Sequence, residues 1–279
     1  MGDRIRLLDV MIDIASTETA IGTAFECMQQ EGSHVVYFVN SNTMMLLKDH
    51  PDWKALVEES ELVLPGCQSV NTGVNQVLGY QRQSFFPAGF FDNILDRAVE
   101  MGYEFMLIAA DEEKFTAVQN NVHEKRPYLT FGGFSLAEQE YTQEHIVNEI
   151  NSVAPDILLF ALEDRQQLEL LEQFKNQMNA GLILFTGNLL YEKAVLEEGA
   201  PTGTEKLRFR KLYRWLHRKG GIKTWLSNFR MRMEIKKQRD SSGRTEGSSG
   251  ETEGLSGDTE GLLGELEGAS GKTEDPLMK

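Results

Sequence analysis

Five short apolar runs constrain this chain more than any other feature: His34–Val39, Leu62–Leu64, Tyr103–Ala109, Asp156–Leu162 and Leu182–Thr186. Each has the length and the β-branched or aromatic content of a strand buried on both faces. Between them the apolar residues recur at helical spacing. Thr17 is placed to cap a helix through Ala24, Phe25 and Met28, and Phe91–Met101 sets Ile94, Leu95 and Ala98 on one face. Gln143–Val153 and Gln166–Met178 repeat that spacing. Strands that alternate with helices pair in parallel, because each crossover helix must lie on a face of the sheet. The sequence therefore predicts an α/β fold, Rossmann-like in the loose sense: a parallel sheet with helices on both faces.

Sheets of this class bind ligands beyond the carboxyl ends of their strands. The loops expected there are Asn40-Ser41-Asn42, Pro65-Gly66-Cys67-Gln68-Ser69, Ala110-Asp111-Glu112-Glu113, Glu163-Asp164-Arg165-Gln166-Gln167 and Gly187-Asn188. None carries a GxGxxG or Walker A pattern, so dinucleotide and P-loop chemistry have no support. The five histidines show no metal-ligand spacing, and nothing pairs one of them with Cys67 as a base for a nucleophile. Cys27 and Cys67 read as free thiols, and no metal or cofactor is expected. Asn40 and Asn42 suit a turn through their own backbone bonds, and a carboxamide there also suits a sugar or a uracil edge. Gln167, at a helix start, is open to the same two readings.

Charge divides the chain further. Residues 206–239 hold thirteen of the 28 Lys and Arg residues and one acid, Glu234, within a chain of net charge −15. In that stretch Arg208, Arg210, Lys211, Arg214 and Arg230 interleave with Trp215, Trp225 and Phe229, and Gly220-Gly221 divides it into two short helices. Cationic amphipathic helices bearing Trp and Leu suit an anionic membrane surface, and basic residues with aromatics also suit nucleic acid. From Ser241 the chain reads SSGRTEG, SSGETEG, LSGDTEG, LLGELEG, ASGKTED, a seven-residue acidic repeat with glycine at each third place. Such glycine content opposes a coiled coil and predicts disorder. Three regions follow: an α/β domain over 1–205, a basic aromatic segment over 206–239, and an unfolded tail over 240–279. No apolar window reaches the roughly 18 residues of a membrane span, and the first residues lack the shape of a signal peptide, which places the protein in the cytoplasm.

Taken in order, the loops resemble the WecG/TagA/CpsF glycosyltransferases. The segment VNSNTMMLLKDHPDWKALVEESELVLPGCQSV (Val39–Val70) follows that family's pattern of Asn, helix, acidic-Pro step and "ADLVLPDGxGV" almost place by place. LGY (Leu78–Tyr80), AVEMGYEFMLIAA (Ala98–Ala110), RPYL (Arg126–Leu129), INSVAPDILLFAL (Ile150–Leu162) and LYRWL (Leu212–Leu216) keep the order of the family's later motifs. The resemblance implies metal-independent, inverting transfer of a sugar from a UDP-sugar to a polyprenyl-diphosphate-linked sugar, in cell-envelope polysaccharide synthesis. It implies a peripheral protein at the inner face of the cell membrane, and it assigns Arg208, Arg210, Lys211, Arg214, Trp215, Trp225, Phe229 and Arg230 to a lipid surface rather than to nucleic acid.

The departures from that pattern fall on its chemistry. Phe38 stands where the family has Thr, Gly66 where it has the Asp that acts as base, and Phe86 where it has an Arg beside the diphosphate. Ala109-Ala110-Asp111-Glu112 replaces a glycine-rich turn, and only the Gln of the "GaPKQE" loop survives, as Gln167. Asn40 and Gln167 are left as the expected substrate contacts, with Glu163 or Asp164 as a substitute base. A positioned base contributes about 10²- to 10⁴-fold and charge stabilisation several kcal/mol, so these losses matter. Two readings stand: an active glycosyltransferase, and an inactive relative that serves as scaffold or regulator beside other glycosyltransferases.

Overall fold

The computed structural model describes residues 3–81, 85–137, 142–198 and 221–246. An antiparallel hairpin, β1 (Arg4–Leu7) and β2 (Val10–Asp13), precedes α1 (Thr17–Met28). The crossover units follow in chain order: β3 (His34–Val39), α2 (Ser41–Asp49), α3 (Pro51–Glu58), β4 (Leu62–Pro65), α4 (Gln68–Leu78), α5 (Pro87–Met101), β5 (Glu104–Ala109), α6 (Glu112–Lys125), β6 (Thr130–Ser135), α7 (Gln143–Val153), β7 (Ile157–Ala161), α8 (Asp164–Phe174), β8 (Leu182–Phe185) and α9 (Leu189–Glu198). The last helix described is α10 (Gly221–Glu246). Six strands form one parallel sheet in the order β4-β3-β8-β7-β5-β6.

Alternation along β3 shows how the two faces are filled. Val35, Tyr37 and Val39 join a core with the hairpin and residues of α2, α3, α4, α7, α8 and α10. Val36 and Phe38 join the opposite core with residues of α1, α5, α6 and α9. The expected helices on both faces are present. The helix expected to be capped by Thr17 is capped instead by Ser16, whose Oγ accepts from the Thr19 N–H at 3.1 Å. Thr17 therefore falls at the first helical position, one residue inside.

Three strands lie outside the apolar runs. β6, TFGGFS, is an edge strand exposed over much of its length. The hairpin is held to the β4 edge by polar contacts: Arg4 pairs with Asp13 at 3.0 Å and donates to the Glu58 and Ser60 carbonyls, and Asp13 accepts from the Val63 N–H at 2.7 Å. A charged network ties α5, α6 and α9 together. Lys193 lies 3.0 Å from Asp92 and 2.9 Å from Glu197, Lys125 lies 2.6 Å from Glu197, and Arg126 lies 2.7 Å from Asp96. Burial would raise the Glu197 pKa, but hydrogen bonds from Lys125, Lys193 and Asn121 outweigh it and leave the pKa at about 2.

The basic stretch has its own outcome. Residues 199–220, with Arg208, Arg210, Lys211, Arg214 and Trp215, lie outside the described residues. From Gly221 one helix of 26 residues runs on to Glu246, in place of a short helix. One compact unit takes in residues through Ser241. Met231 and Ile235 enter the core, and an added Cβ on Gly73 would sit 2.8 Å from Ile235 Cδ1, so α10 packs directly against α4. Ser241–Glu246, the start of the repeat expected to be unfolded, is helical. Extending an existing helix avoids the nucleation cost, which offsets the roughly 1 kcal/mol cost of Gly243.

Candidate functional site

Three neighbouring strands of the sheet, β3, β8 and β7, end in loops that meet. Asn40 leaves β3 as the N-cap of α2, and its Oδ1 accepts from the N–H groups of Asn42 and Thr43 at 2.8 and 3.0 Å. That bond fixes the amide, so Nδ2 points away from the helix and donates to Asp164 Oδ1 at 2.8 Å. Asp164 opens α8 beyond β7. Its carboxylate also accepts from Asn42 Nδ2 at 2.6 Å and from Thr43 Oγ1 at 2.9 Å. One turn on, Gln167 is 1% exposed, and its Oε1 accepts from the Gly187 N–H at 3.0 Å.

Gly187, after β8, is the centre of this corner. Its φ of +58° is left-handed, a region that glycine enters without the penalty a side chain would meet. A Cβ there would lie 3.6 Å from Gln167 Nε2, 3.8 Å from Asp164 Oδ1 and 3.9 Å from Asn40 Nδ2. The bare backbone thus faces two amides and a carboxylate from two other loops. Beside it Asn188 Oδ1 is buried and has no partner. Tyr37, on β3, is fully buried, and its hydroxyl is also without a partner. Burial raises the Tyr37 pKa, and the Asp164 charge raises it further, so the phenol keeps its proton.

The structure brings Asn40, Asp164 and Gln167 together, as two loops of one site. Glu163 is set apart: it is exposed, and Lys114 of α6 reaches it at 3.1 Å. Asp111 lies 3.6 Å from the same ammonium. Asp164 is the carboxylate at the centre, but three donors already occupy it. The sequence places Asn42, Asp164, Gly187 and Asn188 in carboxyl-edge loops without showing how they meet, and it gives no sign that Thr43 or Tyr37 lies beside them.

The flanks differ. Phe38 packs among Phe85, Phe90 and Phe91, with ring centroids 5.1 to 6.1 Å away, and belongs to the core. Phe86 is 64% exposed at the start of α5, and its N–H donates to Thr17 Oγ1. At Gly66 the N–H donates to the Val39 carbonyl at 2.7 Å, and a Cβ would sit 3.1 Å from that oxygen. The backbone approach is therefore close, and no carboxylate rises from this loop. Cys67, next in the chain, is a free, half-buried thiol at the N-cap of α4.

The α10 helix reaches the same end of the sheet. Asn228 Oδ1 accepts from Ser41 Oγ at 2.5 Å and from Ser69 Oγ at 2.7 Å, which links the starts of α2 and α4. On its outer side Leu226, Phe229 and Met233 are exposed at helical spacing, with Arg230 also exposed. Phe229, Arg230 and Met233 border a cavity of about 420 Å³ with Met45 and Lys48 of α2. Trp225 lies on the same helix. Among the described residues no cluster of His, Cys, Asp and Glu could hold a metal ion, and no helix is long and apolar enough to cross a membrane.

The family model described as "Glycosyl transferase WecG/TagA/CpsF family" matches residues 5–238. No curated protein matches the chain.

Proposed function

The chain belongs to the WecG/TagA/CpsF family of glycosyl transferases, and from that premise we propose that it moves a sugar from a UDP-sugar to a polyprenyl-diphosphate-linked acceptor in cell-envelope polysaccharide assembly. One observation carries this reading. Asn40, Asp164 and Gln167, from two loops, converge on the bare Gly187 turn at the carboxyl edge of the sheet, where folds of this class receive ligands. Amides and a carboxylate around a glycine turn suit the hydroxyls and carbonyls of a sugar nucleotide. Asn40 and Gln167 are the contacts to donor or acceptor.

A second reading has its own support. Gly66 offers no carboxylate where an attacking hydroxyl needs a base, and Phe86 offers no cation to a departing diphosphate. Both losses favour a relative that binds substrates without transferring the sugar, as a scaffold or regulator in envelope glycan assembly. A panel of UDP-sugars with a polyprenyl-diphosphate-linked acceptor separates the two. Acceptor-dependent UDP release that disappears in Gln167→Ala supports transfer. Binding without release supports the scaffold, and binding of no UDP-sugar would falsify the transfer reading.

The place of action follows from α10. Leu226, Phe229 and Met233, with Arg230, Lys236 and Lys237 on the same helix, suit a peripheral position on an anionic lipid surface. Removing residues from 206 onward would also strip Met231 and Ile235 from the core. The cleaner test is therefore Phe229→Ser with Met233→Ser in vesicle flotation with anionic lipid. Reduced recovery is expected, and recovery equal to the unmodified protein would sink the idea.

A further inference from the structure

We propose that Asn228 of α10 is a positioning residue: it holds the loop after β3 and the loop after β4 at a fixed separation, and through them sets the spacing between the two halves of the substrate site. The inference rests on reading the carboxyl edge of the sheet as the place of sugar transfer.

Asn228, Met231 and Ile235 follow one another at i, i+3 and i+7, so they share the inner face of α10. Met231 and Ile235 are buried, and Ile235 meets Gly73 of α4, so apolar contacts already seat the helix. An amide on that face adds no apolar burial and must find partners for its lost hydration. Asn228 has two. Its Oδ1 offers two lone pairs, which accept from Ser41 Oγ at 2.5 Å and from Ser69 Oγ at 2.7 Å.

The two serines follow neighbouring strands of the sheet. Ser41 is buried and stands between Asn40 and Asn42, the two amides that donate to Asp164. Ser69 lies in the loop of Gly66, where the attacking hydroxyl needs its base. At the sheet itself these loops are joined once, by the Gly66 N–H on the Val39 carbonyl at 2.7 Å. Asn228 ties them again further along both loops. One tie acts as a hinge, and two at different points prevent the loops from swinging apart. Hydrogen bonds are directional, so this second tie fixes an angle that apolar packing of α10 would leave free. Transfer depends on that angle, because a misplacement on the order of 1 Å between reacting groups costs about 10²-fold.

The test titrates the full chain with uridine, which is common to all UDP-sugars and uncharged, and follows thermal melting alongside. The proteins are the unmodified chain, Asn228→Leu, Asn228→Asp, and Ser41→Ala combined with Ser69→Ala. Asn228→Leu is expected to bind uridine about tenfold more weakly, and Asn228→Asp, which keeps the accepting oxygen, to recover most of that loss. The paired serine variant is expected to match Asn228→Leu, and adding Asn228→Leu to it to cost nothing more, since both remove one tie. A residue that only stabilises α10 would lower the melting temperature and leave uridine affinity alone. Equal affinity in the unmodified chain and Asn228→Leu therefore overturns the proposal, as does an equal loss in Asn228→Asp. Hydrogen exchange of the Met44 and Asn71 amides, in the first turns of α2 and α4, needs no ligand. Both are expected to exchange about tenfold faster in Asn228→Leu, and an unchanged rate at either also overturns the proposal. Should the unmodified chain bind no uridine while both rates rise, the reading of the site fails and the tie between the loops stands.

Discussion

Above β3, β8 and β7 the loops hold each other: Asn40, Asn42 and Thr43 on Asp164, Gln167 on Gly187. Above β4 and at the start of α5, on the same side of the sheet, Gly66 carries no side chain and Phe86 turns a ring to solvent. The centre has dense polar contacts that fix geometry before any ligand arrives, and the flanks offer neither a carboxylate at Gly66 nor a cation at Phe86. On the proposed function, recognition belongs to the centre and proton transfer to the flank, so one can erode while the other is retained.

Restoring the flank gives the largest expected effect. Gly66→Asp returns a carboxylate to the loop after β4, at the expense of a few tenths of an ångström between the Cβ and the Val39 carbonyl, now 3.1 Å apart. Acceptor-dependent UDP release should rise by about 10²-fold or more if the base is the principal loss. No rise, in a variant that melts normally, would show that the flank lacks more than a base.

Gln167→Ala attacks the centre. It leaves the buried Gly187 N–H without its acceptor, a loss of about 1 to 3 kcal/mol that thermal melting would report, together with weaker UDP-sugar binding. An unchanged melting point and unchanged binding would break the contrast between centre and flank. Asn40→Ala removes the cap of α2 and one donor to Asp164, with an expected loss of about 1 kcal/mol in denaturant unfolding.

The smallest effect belongs away from the site and serves as its control. Glu197 has a folded pKa of about 2, below its ordinary value of 4.5. Its contribution to stability is present above the ordinary value and is lost as pH falls from there toward 2. The carboxylate is partly exposed, so screening reduces the effect. The melting-temperature gap between the unmodified protein and Glu197→Gln should close over that acid window, with substrate binding at neutral pH unaltered in the variant.

Five strands were legible because each is buried on both faces and so reads as an unbroken apolar run. β6 was not: its two central glycines and exposed edge position remove both alternation and apolar content. The hairpin was missed because polar partners, Arg4 and Asp13, place it as much as apolar ones do. Basic composition suggested that residues 206–239 stand apart from the domain, yet Met231 and Ile235, two apolar residues one turn apart, decide where α10 packs. Asn40 and Gln167 could be singled out from their loops. Their meeting through Asp164 and Gly187 could not, since it depends on strand order, which local pattern does not encode.

That strand order has a kinetic consequence. β8 is four residues long and, among the described strands of the sheet, the last in the chain, yet it lies between β3 and β7. Until it emerges, β4-β3 and β7-β5-β6 share no backbone hydrogen bonds, and each presents a bare inner edge to whatever the nascent chain encounters. Insertion of Leu182–Phe185 joins the halves, and two residues later the same segment delivers Gly187 to Gln167. A chain ending before residue 182 lacks the strand that joins β3 to β7 and the Gly187 that Gln167 accepts from. Closure of the sheet and of the Gly187 corner therefore depends on the same late-emerging segment.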